Sequence, residues 1–223
     1  MLDFGRILVV GSDGRWARHT FHETVGGSFY NAVSFNAVAA GPGLTVMAVG
    51  DRGVIAWGRD GLQTADGPFD DRNRNDVRYV GDYLWFIVGD GGWVQQWYTD
   101  GSGNVSHNGA SEHNLNALWS RSQDDVYIAG DNGTVLMGDA TTNEWTDMEC
   151  PLEGDLLALD GTGGEYLFVV GRNGAMARHD GDEWEILDPP HDGDLLKIVV
   201  ISWRRAYILT DDNRLMEYVI VNP

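Results

Sequence analysis

Cysteine is almost missing from this chain of 223 residues: Cys150 stands alone. A single thiol excludes an intrachain disulfide and any metal site built from several cysteines. Basic residues are scarce as well, with 15 Lys and Arg against 34 Asp and Glu, giving a formal net charge of −19. A field of that sign repels phosphate backbones and anionic lipid headgroups, so neither nucleic acid nor an acidic membrane surface is an expected partner. No apolar run is long enough to cross a bilayer as a helix, and membrane insertion is not expected. The first ten residues interrupt a short apolar stretch with Asp3 and Arg6 and lack the basic start and small-residue cleavage site of a secretory leader. The expectation is cytoplasmic synthesis without a leader; the final location is unknown, incorporation into a virion being one destination.

Glycine is plentiful, at 30 residues, and a pattern organises it. Four apolar residues, a glycine, two turn residues and a second glycine or asparagine occur at Ile7 to Gly14, Val46 to Gly53, Trp85 to Gly92, Val126 to Gly133, Leu167 to Gly174 and Ala206 to Asn213. The anchor falls at Gly11, Gly50, Gly89, Gly130 and Gly171, with Thr210 in the sixth copy, so the repeat is about forty residues long. An apolar residue follows each turn, at Trp16, Ile55, Val94, Val135, Met176 and Leu215, as an inward-facing strand position requires. Each copy therefore reads as a β-hairpin.

A third strand precedes the hairpin at Phe35 to Val38, Val77 to Val80, Leu115 to Leu118, Leu156 to Leu159 and Leu195 to Ile198, with Ser34, Asp76, Asn114, Asp155 and Asp194 read as loop-to-strand caps. A fourth is clearest at Trp145 to Met148 and Trp184 to Leu187. Four short strands in about forty residues make one blade of a β-propeller, since a blade cannot bury its two apolar faces alone. The fold class expected is thus all-β: one domain over residues 1–223, an approximately six-bladed β-propeller with four-stranded antiparallel blades. Closure at the termini is open between shared terminal blades, a five-bladed ring with an added hairpin, and an arc completed by another subunit.

The segments Val49 to Gly53, Val88 to Gly92 and Ala129 to Thr134 resemble the broad group of propellers related to photosystem II assembly factors and bacterial-neuraminidase-like repeats. The resemblance spans nearly the whole chain at the level of repeat shape and implies architecture rather than activity. Ser12, Asp13, Gly14 and Trp16 are similar to the Asp-box of sialidase-type propellers, without its spacer between Ser and Asp. No motif places the arginine cluster and tyrosine that sialic-acid hydrolysis would need.

Candidate chemistry is thin. Gly11 to His19 and Gly171 to His179 share Gly, Gly, Ala, Arg and His, which makes Arg18, His19, Arg178 and His179 candidate contacts to an anionic ligand. Repeat-encoded strand residues paired with nearby acids are the competing reading. His22 and Glu23 open like a zinc-protease motif, but Gly26 stands where the second histidine belongs. Asp71, Asn73, Asn75 and Asp82 partly follow a calcium-loop spacing, with Asp76 in place of the turn glycine. The sequons at Asn104 and Asn132 read as turn chemistry. Among nine tryptophans, Trp57, Trp93 and Trp97 lie near hairpins and are the interface candidates. The expected function is a noncatalytic scaffold that binds another protein or assembly subunits, without catalytic residues, cofactor or metal. A glycan-binding, lectin-like propeller is the alternative, and a glycoside hydrolase a third.

Overall fold

The computed structural model describes residues 7–10, 15–19, 24–28, 34–58, 63–64, 71–107, 109–162 and 166–220; within 7–28, at 44 and at 63–64 the backbone alone is described. Among the described residues every strand pairs antiparallel with a neighbour in sequence, and six sheets result. The first holds β1 (Ile7–Val10), β2 (Arg15–His19) and β3 (Thr24–Ser28). The second holds β4 (Phe35–Ala40), β5 (Val46–Gly50), β6 (Ile55–Gly58) and β7 (Gln63–Thr64). The third holds β8 (Arg74–Gly81), β9 (Leu84–Gly89), β10 (Trp93–Tyr98) and β11 (Asn104–His107). In the fourth are β12 (Leu115–Ser122), β13 (Asp125–Gly130), β14 (Val135–Asp139) and β15 (Glu144–Asp147). The fifth comprises β16 (Leu156–Thr162), β17 (Tyr166–Gly171), β18 (Met176–His179) and β19 (Trp184–Ile186). The sixth ends the chain with β20 (Leu195–Ser202), β21 (Arg205–Thr210) and β22 (Leu215–Val219).

The arrangement is a β-propeller of five blades, which corrects the expectation of about six. The expectation counted hairpins, and a hairpin is not a blade. Four sheets have four strands; the sheets at the two ends have three. Among the described residues, the copy at Ile7 has its hairpin and outer strand but no counterpart of the inner strand that opens the other copies. The chain divides into two compact units, residues 1–79 and 80–223.

In the second unit the reason for unbroken apolar runs such as Leu167 to Val170 is visible. Alternate residues of one strand serve opposite faces of its sheet, and both faces are covered. On β17, Leu167 and Val169 pack with Ala117, Ala129 and Val135 of the fourth sheet, while Phe168 and Val170 pack with Leu195, Ile198 and Ile208 of the sixth. On β13 the same alternation sends Val126 and Ile128 toward Phe86 and Val88 of the third sheet and Ala129 toward the fifth. Among the described residues no helix is long and apolar enough to cross a membrane.

The two repeat glycines have separate jobs. Gly130 ends β13 without a left-handed backbone, and a β-carbon there would sit 2.2 Å from the carbonyl oxygen of Asn114, the residue before its own sheet's inner strand. At Gly133 φ is +70°, and a β-carbon would sit 1.7 Å from the carbonyl oxygen of Leu152, in the loop leading to the next blade. The first glycine thus seats the hairpin on its own sheet, and the second admits the connecting loop.

Candidate functional site

The hairpin turns carry a hydrogen-bond system that repeats from sheet to sheet. The residue just before the second glycine takes a left-handed conformation, φ being 55° at Arg52, 64° at Gly91, 54° at Asn132 and 53° at Asn173. That conformation turns the backbone N–H toward the following sheet. Arg52 donates to Asn73 Oδ1 (3.2 Å), Gly91 to Asn114 Oδ1 (2.9 Å), Asn132 to Asp155 Oδ1 (3.3 Å) and Asn173 to Asp194 Oδ1 (3.0 Å). The polar residues ahead of the inner strands are therefore ties between successive sheets rather than simple strand caps. In the third sheet the tie is Asn73, not Asp76: Asn73 precedes Gly89 by the same distance as Asn114 precedes Gly130, and β8 begins at Arg74. A second layer strengthens two of these ties. Asn36 donates to Asp51 Oδ1 and to the Arg74 carbonyl (3.1 Å each), and Asn116 donates to Asp131 Oδ1 (2.7 Å) and the Leu156 carbonyl (2.9 Å).

Between the fifth and sixth sheets the tie is charged. Arg172 bridges Asp155 (3.3 Å) and Asp194 (3.0 Å) while Asn173 N–H holds the other Asp194 oxygen. Replacing Asp194 with alanine strands both donors at a partly exposed site and should cost about 1–2 kcal/mol. Asp194→Asn should recover most of that loss, because it keeps the acceptor and gives up only an exposed ion pair. Urea denaturation midpoints of the two variants would show whether the acceptor or the charge carries the tie.

Beside the fourth-sheet hairpin the same loops leave a groove of about 460 Å³. Its lining includes Glu112 and His113 from the loop before β12, Asn132 to Thr134 from the hairpin, and Trp145, Asp147, Glu149 and Cys150 from β15 and the segment after it. Among the described residues, three carboxylates face this space and no lysine or arginine does. Trp145 is half-buried, its ring 5.4 Å from that of Phe86 and its Nε1 donating to Asn143 Oδ1 (2.9 Å). The His113 ring accepts from the Asn132 amide at Nδ1 (3.1 Å). Burial raises the Cys150 thiol above its ordinary pKa, aided by the nearby Asp147 charge and opposed by a hydrogen bond from Leu152, so this thiol is poorly nucleophilic.

No protein-family model and no curated protein matches the chain. What the molecule can do is consequently read from its own side chains.

The residues singled out in the sequence are scattered by the fold. Trp93 is buried at 4 % exposure, which removes it as an exposed anchor: it heads β10 opposite Gly89, where the hairpin closes over it. Trp97 is half-buried on the same strand, and Trp57, on β6, is 37 % exposed. The side chains of Arg18 and His19 lie outside the described residues, as do His22 and Glu23. Arg178 is engaged within the fold: it pairs with Glu185, donates to the Trp203 carbonyl (3.0 Å) and lies over the rings of Tyr166 and Phe168. His179 stacks edge-on against Trp184 at 4.9 Å and accepts from Gly181 N–H at 3.1 Å. It borders a cavity of only about 40 Å³ with Trp119, Tyr127 and Tyr166, room for a water rather than a sugar ring. The supposed calcium loop is not assembled, since the extended strand β8 separates Asn73 from Asp82 and consumes Asn75.

One grouping has no sequence signature. His191, Asp211 and Asp212 bring ligand-type atoms within 4.8 Å of one another, although they come from the loop before β20 and the turn after β21. All three are already engaged. His191 Nε2 meets Asp211 Oδ1 at 2.9 Å, and Asp212 accepts from the Thr210 hydroxyl (2.6 Å) and pairs with Arg214 (3.0 Å). The His191 hydrogen bond is the main cause that lowers the Asp211 pKa, and the Thr210 hydroxyl does the same for Asp212. The groove at the fourth sheet, whose carboxylates have no such internal cation, is the candidate site.

Proposed function

We propose that the protein is a noncatalytic binding scaffold whose groove beside Trp145 receives a basic segment of another protein. The observation that carries this reading is the uncompensated charge of the groove. At the equivalent place one sheet later, Arg172 neutralises Asp155 and Asp194 from within, whereas the fourth-sheet hairpin has Asp131 in the position of Arg172. Glu112, Asp147 and Glu149 consequently surround an aromatic wall with no lysine or arginine among the described residues beside them, and a lysine or arginine side chain of a partner supplies both the charge and the cation–π contact. The repeat group related to photosystem II assembly factors and neuraminidase-like propellers remains the proposed kinship, and a place in a viral or other large assembly the proposed setting. Both rest on repeat chemistry alone.

Calorimetric titration with an arginine- and lysine-rich peptide tests the groove. Binding should weaken steeply with added salt, and the triple variant Glu112→Gln, Asp147→Asn, Glu149→Gln should bind about tenfold more weakly, which is about 1.4 kcal/mol. Unchanged affinity in that variant overturns the reading. The glycan-binding alternative keeps Trp57 as an exposed aromatic, and it would gain if a neutral oligosaccharide quenched tryptophan fluorescence in the wild type but not in Trp57→Ala.

A further inference from the structure

We propose that Trp203 and Arg204, the two residues of the turn between β20 and β21, form a binding site for a single carboxylate group. Residues 80–223 hold six arginines. Arg121 pairs with Asp125, Arg172 with Asp155 and Asp194, Arg178 with Glu185, Arg205 with Glu217 and Arg214 with Asp212. Arg204 differs: among the described residues no carboxylate pairs with it and no oxygen accepts from its guanidinium. The corresponding turns of other sheets have the opposite sign. The third sheet has Asp82 and Tyr83 there and the fourth has Gln123 and Asp124, with Gln123 donating to Asp82 Oδ2 (3.0 Å). Those turns are satisfied from within the chain, and the turn that carries Arg204 is not.

The cation is held in place and partly stripped of water. Its Cζ lies 3.9 Å from the centroid of the Trp203 ring, and its Nε is closed off from solvent without an acceptor. Trp203 is fixed in turn: its ring stacks with that of Tyr166 at 5.8 Å, and its carbonyl accepts from Arg178 Nη1 at 3.0 Å. These contacts lie between the fifth and sixth sheets, wholly within residues 80–223. A guanidinium that has lost part of its hydration and has no internal anion gains more from an external one than a solvated arginine does. Its two Nη groups make a planar end-on fork that matches a carboxylate. Charge selects against phosphate. Arg178 is already balanced by Glu185, so one positive charge is left over, and the net charge of −19 penalises a dianion more than a monoanion. An acidic side chain of a protein and a free organic acid both offer that group.

Nuclear magnetic resonance of the full chain tests the site through the Trp203 indole N–H signal, assigned by its loss in Trp203→Phe. Butyrate stands for the free acid and a capped Gly-Glu-Gly peptide for the protein side chain, each titrated against chloride at constant ionic strength. The signal should shift and saturate with a Kd of about 10 mM or tighter for at least one of them, and the tighter of the two identifies the source. Arg204→Lys keeps the charge but not the fork, and should bind about tenfold more weakly with its thermal transition unchanged. The groove triple variant should bind like the wild type, which separates this site from the peptide groove. No saturable shift in the wild type overturns the proposal, including the outcome in which Glu165→Gln restores one, since the carboxylate would then come from the chain itself. Equal binding by Arg204→Lys, or tighter binding of methyl phosphate than of either carboxylate, overturns it as well.

Discussion

Alanine at Gly133 should leave the protein barely folded. A left-handed alanine costs about 1–2 kcal/mol on conformation alone, and here the added methyl would sit 1.7 Å from the Leu152 carbonyl oxygen. Backbone must move to relieve that overlap, because no flexible side-chain tip is involved. The movement also breaks the hydrogen bond from Gly133 N–H to the Gly154 carbonyl (2.8 Å) and pulls on the neighbouring tie from Asn132 to Asp155. The combined cost should be about 4 kcal/mol or more, at the severe end for a single substitution. Gly101→Ala is the control: φ there is +90° but nothing lies within 4 Å of the added carbon. It should cost only about 1–2 kcal/mol. Urea unfolding followed by circular dichroism would compare them, and equal losses would refute the claim that the second repeat glycine exists to admit the connecting loop.

Truncating Phe168 to alanine should cost about 3–5 kcal/mol. Its side chain is fully buried between the fifth and sixth sheets, against Leu195, Ile198 and Ile208, and the Arg178 guanidinium lies 5.9 Å from its ring centroid. The cavity left behind would be bounded by two sheets whose backbones are already tied together, so little collapse can fill it. The effect should therefore exceed that of Ile186→Ala on β19, a residue 63 % exposed, which should stay within about 0.5 kcal/mol. Denaturant midpoints measured side by side check the difference.

The repeat was legible because its chemistry is local. A hairpin needs apolar alternation and a turn that tolerates positive φ, and both are written within eight residues at Val126 to Gly133. The outer strands were harder, since β11 exposes Asn104, Val105 and Ser106 and has little apolar pattern to betray it. The number of blades was not legible, because a hairpin in the sequence does not say whether the sheet around it makes a blade of its own. Asp76 reads as the cap ahead of β8 because an apolar stretch follows it; Asn73, which holds that place, is distinguished only by its distance from Gly89 and by its bond to Arg52. The candidate site was less visible still. Glu112 lies far from Trp145 and Glu149 in sequence, and only the folding of the fourth sheet, with β15 and the segment after it, brings them around one space. Trp93 misled for the opposite reason: an aromatic beside a turn reads as exposed, yet the β9–β10 hairpin buries it. Arg178 and His179 matched Arg18 and His19 by sequence, and the described pair turns out to be absorbed by neighbours within the fifth and sixth sheets.

The ties run in one direction, and this bears on synthesis. Each turn hands its N–H to a side chain that lies about twenty residues further along. As the chain leaves the ribosome, a hairpin must wait for that stretch to emerge before its left-handed residue is secured. Maturation should then travel from the amino end toward the carboxyl end like a zip, always one sheet behind the growing chain. A stalled or shortened chain would keep every earlier closure and leave just its last turn unfastened.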